Sequence, residues 1–140
     1  MLKKTIEYED FDGNKIVEDF YFNLTKAELS ELEMEENGGL SNYIQQIVDE
    51  KDAKKIIQIF KDIILRSYGK KSEDGKRFIK TKEMAEEFSQ TNAFSELFVK
   101  LAYDSQEAAD FINGIIPAGL NTEKQQEKPA ENRELLGPKQ

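Results

Sequence analysis

Neither cysteine nor histidine occurs among the 140 residues of the chain. The absence of cysteine excludes disulfide bonds and thiol chemistry, and it is compatible with a reducing compartment. Without histidine, general acid–base catalysis would depend on carboxylates, lysine or tyrosine. No catalytic or metal-binding constellation stands out from the acidic background, so we expect a protein that is not an enzyme and that uses no cofactor.

Long apolar runs are also absent. No window approaches the roughly 18 consecutive apolar residues of a membrane-spanning helix. The opening residues "MLKK" lead into an alternating pattern, not into the apolar core of a signal peptide. The sequence therefore predicts neither a membrane span nor a secretory leader, and it favours a cytoplasmic location.

Charge is abundant and unevenly placed. The formal net charge of -8 disfavours general attraction to nucleic acid or anionic lipid. Residues 26–36 carry five glutamates and one lysine, whereas residues 66–82 carry seven bases and two acids. The basic segment also contains Tyr68 and Phe78, which could stack on bases, but the net charge opposes that interpretation. Two solvated faces of opposite sign are the simpler interpretation.

The chain has the length of one domain, with a division near residue 117. Apolar periodicity runs as far as Pro117, which indicates a single globular domain over residues 1–117. Residues 118–140 have four acids, four bases and few large apolar groups. Such a segment cannot bury enough surface to order itself, so we expect a flexible polar tail.

The first residues predict a β-hairpin over residues 2–22. Leu2, Ile6 and Tyr8 alternate with polar residues, and Ile16, Phe20 and Phe22 do the same after a turn. The turn "DFDGN" contains Asp12-Gly13, a pair suited to positive φ. Its alternating Asp10, Asp12 and Asn14 resemble a calcium loop, but the glycine and the final glutamate are misplaced.

Helical patterns then continue to residue 116. Thr25 and Glu28 form a capping box, Leu24 and Leu29 occupy the positions of a hydrophobic staple, and "NGG" at 37–39 ends the first helix. A second helix is predicted over residues 40–50. A central helix follows from Asp52 to Gly69, with Ile56, Ile57, Phe60, Ile63 and Ile64 on its apolar stripe and Ile59 and Leu65 outside it.

Residues 70–80 predict a basic loop, with a small hairpin turning at Asp74-Gly75. "GKKS" at residues 69–72 lacks the spacing of a phosphate-binding loop. Thr81, Thr91 or Asn92, and Asp104 or Ser105 begin three further helices, and Pro117 ends the last. The predicted fold is α+β and mainly α, a β-hairpin packed on about five to six helices.

Two sets of side chains are candidates for contacts with other molecules. Glu28, Glu31 and Glu35 share a helical face; like charges at this spacing are ordinarily an exposed polar side, and a catalytic role is the weaker interpretation. Apolar residues beside the packed faces predict a groove for an amphipathic partner helix. These candidate partner-binding residues are Val17, Tyr21, Met34, Ile59, Val99 and Tyr103.

Several longer runs are distinctive as whole phrases: "FYFNLTKAELSELE" with "GGL" after it, "IIQIFKDIILRSYGKKSEDGKRFIK", "FSQTNAFSELFVKLAYD" and "AADFINGIIP". Over residues 1 to about 117, they resemble the tail assembly chaperones of long-tailed (siphovirus-type) bacteriophages that infect Gram-positive bacteria. The resemblance implies a non-enzymatic protein, made in the infected cell and absent from the mature virion. Such a protein coats the tape measure protein, keeps it soluble and helps recruit tail tube subunits. Many members also have a frameshifted, longer product, and residues 118–140 resemble the linker before that extension.

Charge suggests how copies could associate. We expect basic residues Lys70, Lys71, Lys76 and Arg77 of one copy to meet acidic Glu28, Glu31 and Glu35 of the next, giving a head-to-tail homo-oligomer. Two alternatives to the chaperone remain open. One is a small cytoplasmic adaptor of phage or host with an unrelated partner, and the other is a hydrolase or transferase that uses carboxylates.

Overall fold

The computed structural model describes residues 1–35 and 53–117 of the chain. The predicted helix over residues 40–50, its flanking signals at 37–39 and Asp52, and the predicted tail lie outside the described residues. Four strands and five helices are described: β1 (Leu2–Glu9), β2 (Lys15–Phe22), α1 (Lys26–Glu35), α2 (Ala53–Ser67), β3 (Tyr68–Lys71), β4 (Phe78–Ile79), α3 (Lys82–Ser89), α4 (Asn92–Tyr103) and α5 (Ser105–Ile115). The α+β, mainly helical class is confirmed.

The N-terminal hairpin forms as predicted. β1 and β2 pair antiparallel from Leu2 opposite Phe22 to Glu9 opposite Lys15. In the turn, the Asp10 carboxylate accepts the amides of Asp12 and Asn14 at 3.0 and 2.9 Å. Gly13 has φ of 85°, a value that costs glycine little. The turn sequence therefore sets the register of both strands.

The small hairpin predicted at Asp74-Gly75 is present as β3 and β4, but it joins the N-terminal hairpin in one four-stranded sheet, which was not predicted. The strand order is β1-β2-β3-β4, and Phe22 and Tyr21 of β2 pair with Tyr68 and Gly69. The central helix was predicted to continue to Gly69, but α2 ends at Ser67 and the chain enters β3 directly. The prediction was wrong because the free hydrogen-bonding groups of β2 offered Tyr68 and Gly69 a strand partner that periodicity cannot show. The turn at Asp74-Gly75 is confirmed, with Gly75 at φ of 75°.

Helix starts lie where the capping residues predict. At the start of α1, the Glu28 amide donates to the Thr25 hydroxyl, and the Glu28 carboxylate accepts the Thr25 amide at 2.8 Å. Thr81, Thr91 and Asp104 cap α3, α4 and α5 through their side chains. None of the helices in the described ranges is long and apolar enough to cross a bilayer.

The buried face of α2 differs from the predicted stripe. Ile59, predicted to lie outside it, is only 8% exposed, whereas Ile57, predicted inside it, is 43% exposed. The core side instead runs through Ile59, Phe60, Ile63, Ile64 and Ser67. Ser67 is fully buried because its hydroxyl donates to the carbonyls of Ile63 and Ile64. The core face of α2 thus includes a polar residue, so the apolar pattern of the sequence does not show which side of the helix is buried.

One core joins the sheet to the helices. Phe22 is fully buried, with its ring centroid 5.2 Å from that of Phe111 in α5 and 5.9 Å from those of Tyr68 and Phe88. Tyr68 and Phe88 stack at 4.3 Å. Within residues 1–35 and 53–117, helices therefore cover one face of the sheet, the face of Ile6, Phe20 and Phe22, and leave Val17 on the opposite face exposed.

Candidate partner-binding surface

Exposed apolar side chains are the features of the described residues that suit binding of another protein. The large ones are Met1, Phe11, Val17, Met34, Ile57, Val99 and Tyr103. Four of the six predicted contact residues are among them. Tyr21 is half-buried, and Ile59 belongs to the core. Ile59 is therefore removed from the candidate surface, because the α2 face it occupies is turned inward.

Val17 and Tyr21 lie on the uncovered face of the sheet, which we call the outer face. They alternate with buried Phe20 and Phe22 along β2, and they sit directly opposite Glu7 and Lys3 of β1. Between them, Asp19 accepts a hydrogen bond from the Thr5 hydroxyl at 2.6 Å. Val17 is 67% exposed, so this face presents apolar surface that the described core does not use.

The outer face extends to β3 and β4. Gly69 lies opposite Tyr21, and a β-carbon at Gly69 would meet the Phe78 ring at 2.6 Å. The half-buried Phe78 ring therefore lies across the glycine on the same side of the sheet as Tyr21. Val17, Tyr21 and Phe78 form an apolar row along this face.

Val99 lies at a second location, a groove between β1 and α4 with a volume of about 420 Å³, which we call the β1–α4 groove. Its strand wall is Lys3, Lys4, Thr5, Ile6 and Glu7, and its helix wall is Glu96, Leu97, Val99 and Lys100. Tyr103 follows Val99 by one helical turn and is exposed. Met34 lies on α1, which contributes no residue to this groove. The structure thus places Val17 and Tyr21 on one face of the sheet, Val99 beside β1, and Met34 on a different element.

The predicted acidic and basic segments meet within one molecule. The Lys80 ammonium donates to the Glu28 carboxylate and to the Asn23 carbonyl, both at 2.7 Å. Burial raises the pKa of Glu28, but hydrogen bonds from Lys80 and Thr25 outweigh it and leave that pKa below its ordinary value. Glu28 therefore holds the strand-to-helix junction of its own chain, and its contact with another copy stays a prediction.

The other residues that were predicted to join copies head to tail lie mainly at the surface. Glu31, Lys70, Lys71, Lys76 and Arg77 are exposed, and the side chain of Glu35 lies outside the described part. Contact between copies through these residues stays a prediction.

The remaining titratable groups with shifted pKa values have structural explanations. Backbone amides, that of Asn14 first, lower the pKa of Asp10, and the Lys76 amide and the Ser72 hydroxyl lower that of Asp74. A hydrogen bond to Glu18 raises the pKa of Tyr8 to about 12. Among residues 1–35 and 53–117, acidic side chains form no group suited to a metal ion. Asp10 and Asp74 thus hold turns and Tyr8 holds a strand pair, whereas burial in the aromatic core raises the pKa of Tyr68.

Three of the exposed apolar residues, Met1, Phe11 and Ile57, and the free edge of β1 were not predicted from the sequence. Phe11 lies in the hairpin turn between two aspartates, a position that indicates exposure. Ile57 was misplaced with the stripe of α2. The outer edge of β1 could not be found from sequence, because strand order depends on the distant β3.

Comparison with known proteins gives one match. A family model described as phage tail assembly chaperone matches residues 1–138. Neither the curated proteins nor the solved structures contain a match to the chain.

Proposed function

The chain belongs to the phage tail assembly chaperones, and from this premise we propose that it binds the tape measure protein and holds it in solution. The observation that carries the proposal is the apolar row on the outer face, where Val17 is exposed and Tyr21 is half-buried. An apolar face that the molecule's own core leaves uncovered is suited to another protein's apolar stripe.

The spacing of the row suits a helical partner. Val17 and Tyr21 are separated by about 13 Å along β2, at about 3.3 Å per residue. Residues eight apart on a helix are separated by about 12 Å. A helix lying along β2 could therefore place one apolar residue over Val17 and another over Tyr21, two turns away. A tape measure protein, a long helical chain with apolar stripes, would offer such sites repeatedly, so that many weak contacts hold it in solution.

The same proposal covers the wider role. The protein acts by binding and not by catalysis, in the cytoplasm of the infected cell, and it is left out of the mature virion. Tail tube subunits are recruited to the complex that it forms with the tape measure protein. The family match supports the assembly role, and the outer face supports binding of a helix.

Co-expression with a helical fragment of the tape measure protein tests the outer face. The variant combines Val17→Thr with Tyr21→Thr, because threonine keeps the strand preference while removing the apolar contact. We expect the soluble fraction of the fragment to fall to the level seen without the chaperone.

Phe11→Thr is the matched control, since it removes an exposed apolar side chain from the hairpin turn. It should solubilise the fragment as the wild type does. Thermal unfolding of each variant shows that the fold is retained. Full solubilisation by the folded double variant would contradict the proposed contact.

A further inference from the structure

The outer edge of β1 is an unpaired strand edge in the described part of the chain. In an antiparallel pair, alternate residues exchange hydrogen bonds with the partner strand and the residues between them direct their backbone groups away. The Asp10 amide donates to the Asn14 carbonyl at 2.9 Å, which sets the phase of the ladder. Even-numbered residues of β1 therefore bond to β2, and Lys3, Thr5, Glu7 and Glu9 direct their amides and carbonyls outward.

The helical layer limits this edge at one end. The Asn92 side chain donates to the outward carbonyl of Glu9 at 2.8 Å. The free stretch is therefore Lys3 to Glu7, which is also the strand wall of the β1–α4 groove. An exposed edge of this kind is a template for a further strand unless something covers it.

We propose that a second copy of the chain covers this edge, with the two β1 strands antiparallel about a two-fold axis at Thr5. Lys3 of each copy then lies opposite Glu7 of the other, and Thr5 lies opposite Thr5. Three facing pairs of outward residues would form about six backbone hydrogen bonds. Opposite charges directly across a strand pair stabilise it, and this edge carries them in the order that a two-fold axis requires.

Neighbouring registers fit less well. Antiparallel strands keep their outward residues opposite one another only when the register shifts by whole steps of the ladder. One shift places Lys3 opposite Glu9, whose carbonyl Asn92 already occupies. The reverse shift places Lys3 opposite Thr5 and Glu7 opposite Met1, so that both charge pairs are lost. The register centred on Thr5 is the one that uses all three free residues.

The helix wall of the groove also carries opposite charges that a two-fold axis would bring face to face. Glu96 and Lys100 are one turn apart on α4, and Val99 lies between them with 51% of its surface exposed. A two-fold axis brings identical patches together with their order reversed. Lys100 of the second copy is then available to Glu96, and the apolar Val99 is covered. Strand and helix therefore favour the same occupant.

Neither strand charge is already in use. In the part of the chain that the structure describes, the ion pairs include Lys4 with Glu107, Arg66 with Asp62, and Lys80 with Glu28. Lys3 and Glu7 are exposed and belong to none of these pairs. The joined sheets would also present two copies of Val17 and Tyr21 on one continuous outer face.

Charge reversal at Lys3 and Glu7 tests the pairing. Sedimentation equilibrium is measured on the purified full chain without any other protein, so the result is independent of tape measure binding. Lys3→Glu and Glu7→Lys each place like charges opposite one another at both symmetric sites. We expect each single variant to dimerise about tenfold more weakly than the wild type.

Two combinations restore the complementary charges. An equimolar mixture of the single variants should form a heterodimer with wild-type affinity, because the acidic edge of one faces the basic edge of the other. The double variant with Lys3→Glu and Glu7→Lys should recover the homodimer. Neither recovery is expected if the single variants only disturb folding.

Lys61→Glu is the matched control, since it makes the same change of charge at an exposed position on α2, outside every predicted contact between copies. It should leave dimerisation unchanged. A wild type that stays monomeric at every concentration overturns the proposal. So does a mixture that fails to recover, or a loss of association with Lys71→Glu but not with Lys3→Glu, which would favour the head-to-tail contact. If the wild type is monomeric and Lys3→Glu abolishes binding of the tape measure fragment, the edge binds that partner and not a second copy.

Discussion

Glu28 shows how one side chain connects distant parts of this chain. Its carboxylate accepts the Thr25 amide at the start of α1 and, at 2.7 Å, the ammonium of Lys80, which follows β4. Lys80 also binds the Asn23 carbonyl, so one cation joins the end of the sheet to the junction between β2 and α1. The ion pair is partly shielded from solvent, which makes it more effective than a fully exposed pair.

Glu28→Gln should reduce the pH dependence of stability in acid. The pKa of Glu28 is lower in the folded chain than its ordinary value of 4.5, so ionisation of this group favours the folded state. That stabilisation is complete above the ordinary pKa and is lost as the pH falls through the folded value. At pH 7 we expect the variant to be about 1 kcal/mol less stable than the wild type. The difference should shrink as the pH falls below 4.5 and through the lowered pKa of Glu28.

Urea unfolding at a series of pH values measures this difference. Glu31→Gln is the control, because Glu31 is an exposed acid on the same helix. Equal pH dependence in the wild type and in Glu28→Gln would show that the contact with Lys80 does not stabilise the fold.

Residue-level features were predictable where the partners lie close in sequence. The capping box of Thr25 and Glu28 spans three positions, and Thr81, Thr91 and Asp104 cap their helices over similar distances. Lys80 is 52 residues from Glu28, and no local pattern indicates that contact. The acidic character of Glu28 was visible, but its partner was not.

At the scale of elements, the helical pattern of the sequence and the observed fold differ at the junction between α2 and β3. Apolar spacing indicated the helix, and the helix is present. It could not show that Tyr68 would leave the helix to pair with Phe22, because strand pairing depends on residues far away in sequence. Ile59 was misassigned for a related reason. The buried Ser67 hydroxyl donates hydrogen bonds to carbonyls of its own helix, so the core face of α2 includes a polar residue and cannot be located from apolar residues alone.

Gly69→Ala should destabilise the β3–β4 pair. The added carbon would lie 2.6 Å from Cε2 of Phe78 and 2.8 Å from the Ile79 carbonyl oxygen, and a backbone atom cannot move aside cheaply. We expect a loss of about 1–3 kcal/mol, the usual cost of forced contacts in a packed region. The midpoint of chemical denaturation gives the value.

Gly114→Ala provides the comparison within the same chain. Its added carbon would meet the end of the half-buried Leu2 side chain, which can turn away, and alanine improves the helix. The net change should stay within about 1 kcal/mol. Similar losses at the two glycines would show that the Phe78 contact is not a constraint.

At the scale of the whole molecule, one aromatic cluster joins strands to helices, and we expect them to unfold as a single cooperative unit. Phe22 contacts rings from β3, α3 and α5 and has no exposed surface. Phe22→Ala should therefore cost about 3–5 kcal/mol, a large part of the 5–15 kcal/mol that stabilises a typical domain. Far-ultraviolet circular dichroism and tyrosine fluorescence should report the same shifted urea midpoint, because sheet and helices share this core.

Phe98→Ala is the matched truncation, at a half-buried ring stacked on Phe94. It should cost about 1–2 kcal/mol. Two probes that separate in the Phe22 variant would show that sheet and helices unfold independently.

The candidate surface was predictable in part. Val17, Tyr21 and Val99 could be found because each interrupts a local apolar pattern, and the fold leaves Val17 and Val99 exposed. The position of β1 at the sheet edge could not be inferred, since it follows from β3 taking the other side of β2. The exposure of a side chain can be predicted in part from the local sequence, whereas the elements that lie beside it depend on the topology of the fold.

The strand order also sets a sequence of events in folding. β1 and β2 meet through a tight local turn, whereas β3 must close a loop of more than forty residues before Tyr68 can pair with Phe22. Loop closure of that length slows a transition state that contains it. The β1–β2 hairpin can therefore form while both of its outer edges are unpaired. Until β3 pairs with β2, a strand of another molecule can add to either edge of a newly synthesised chain.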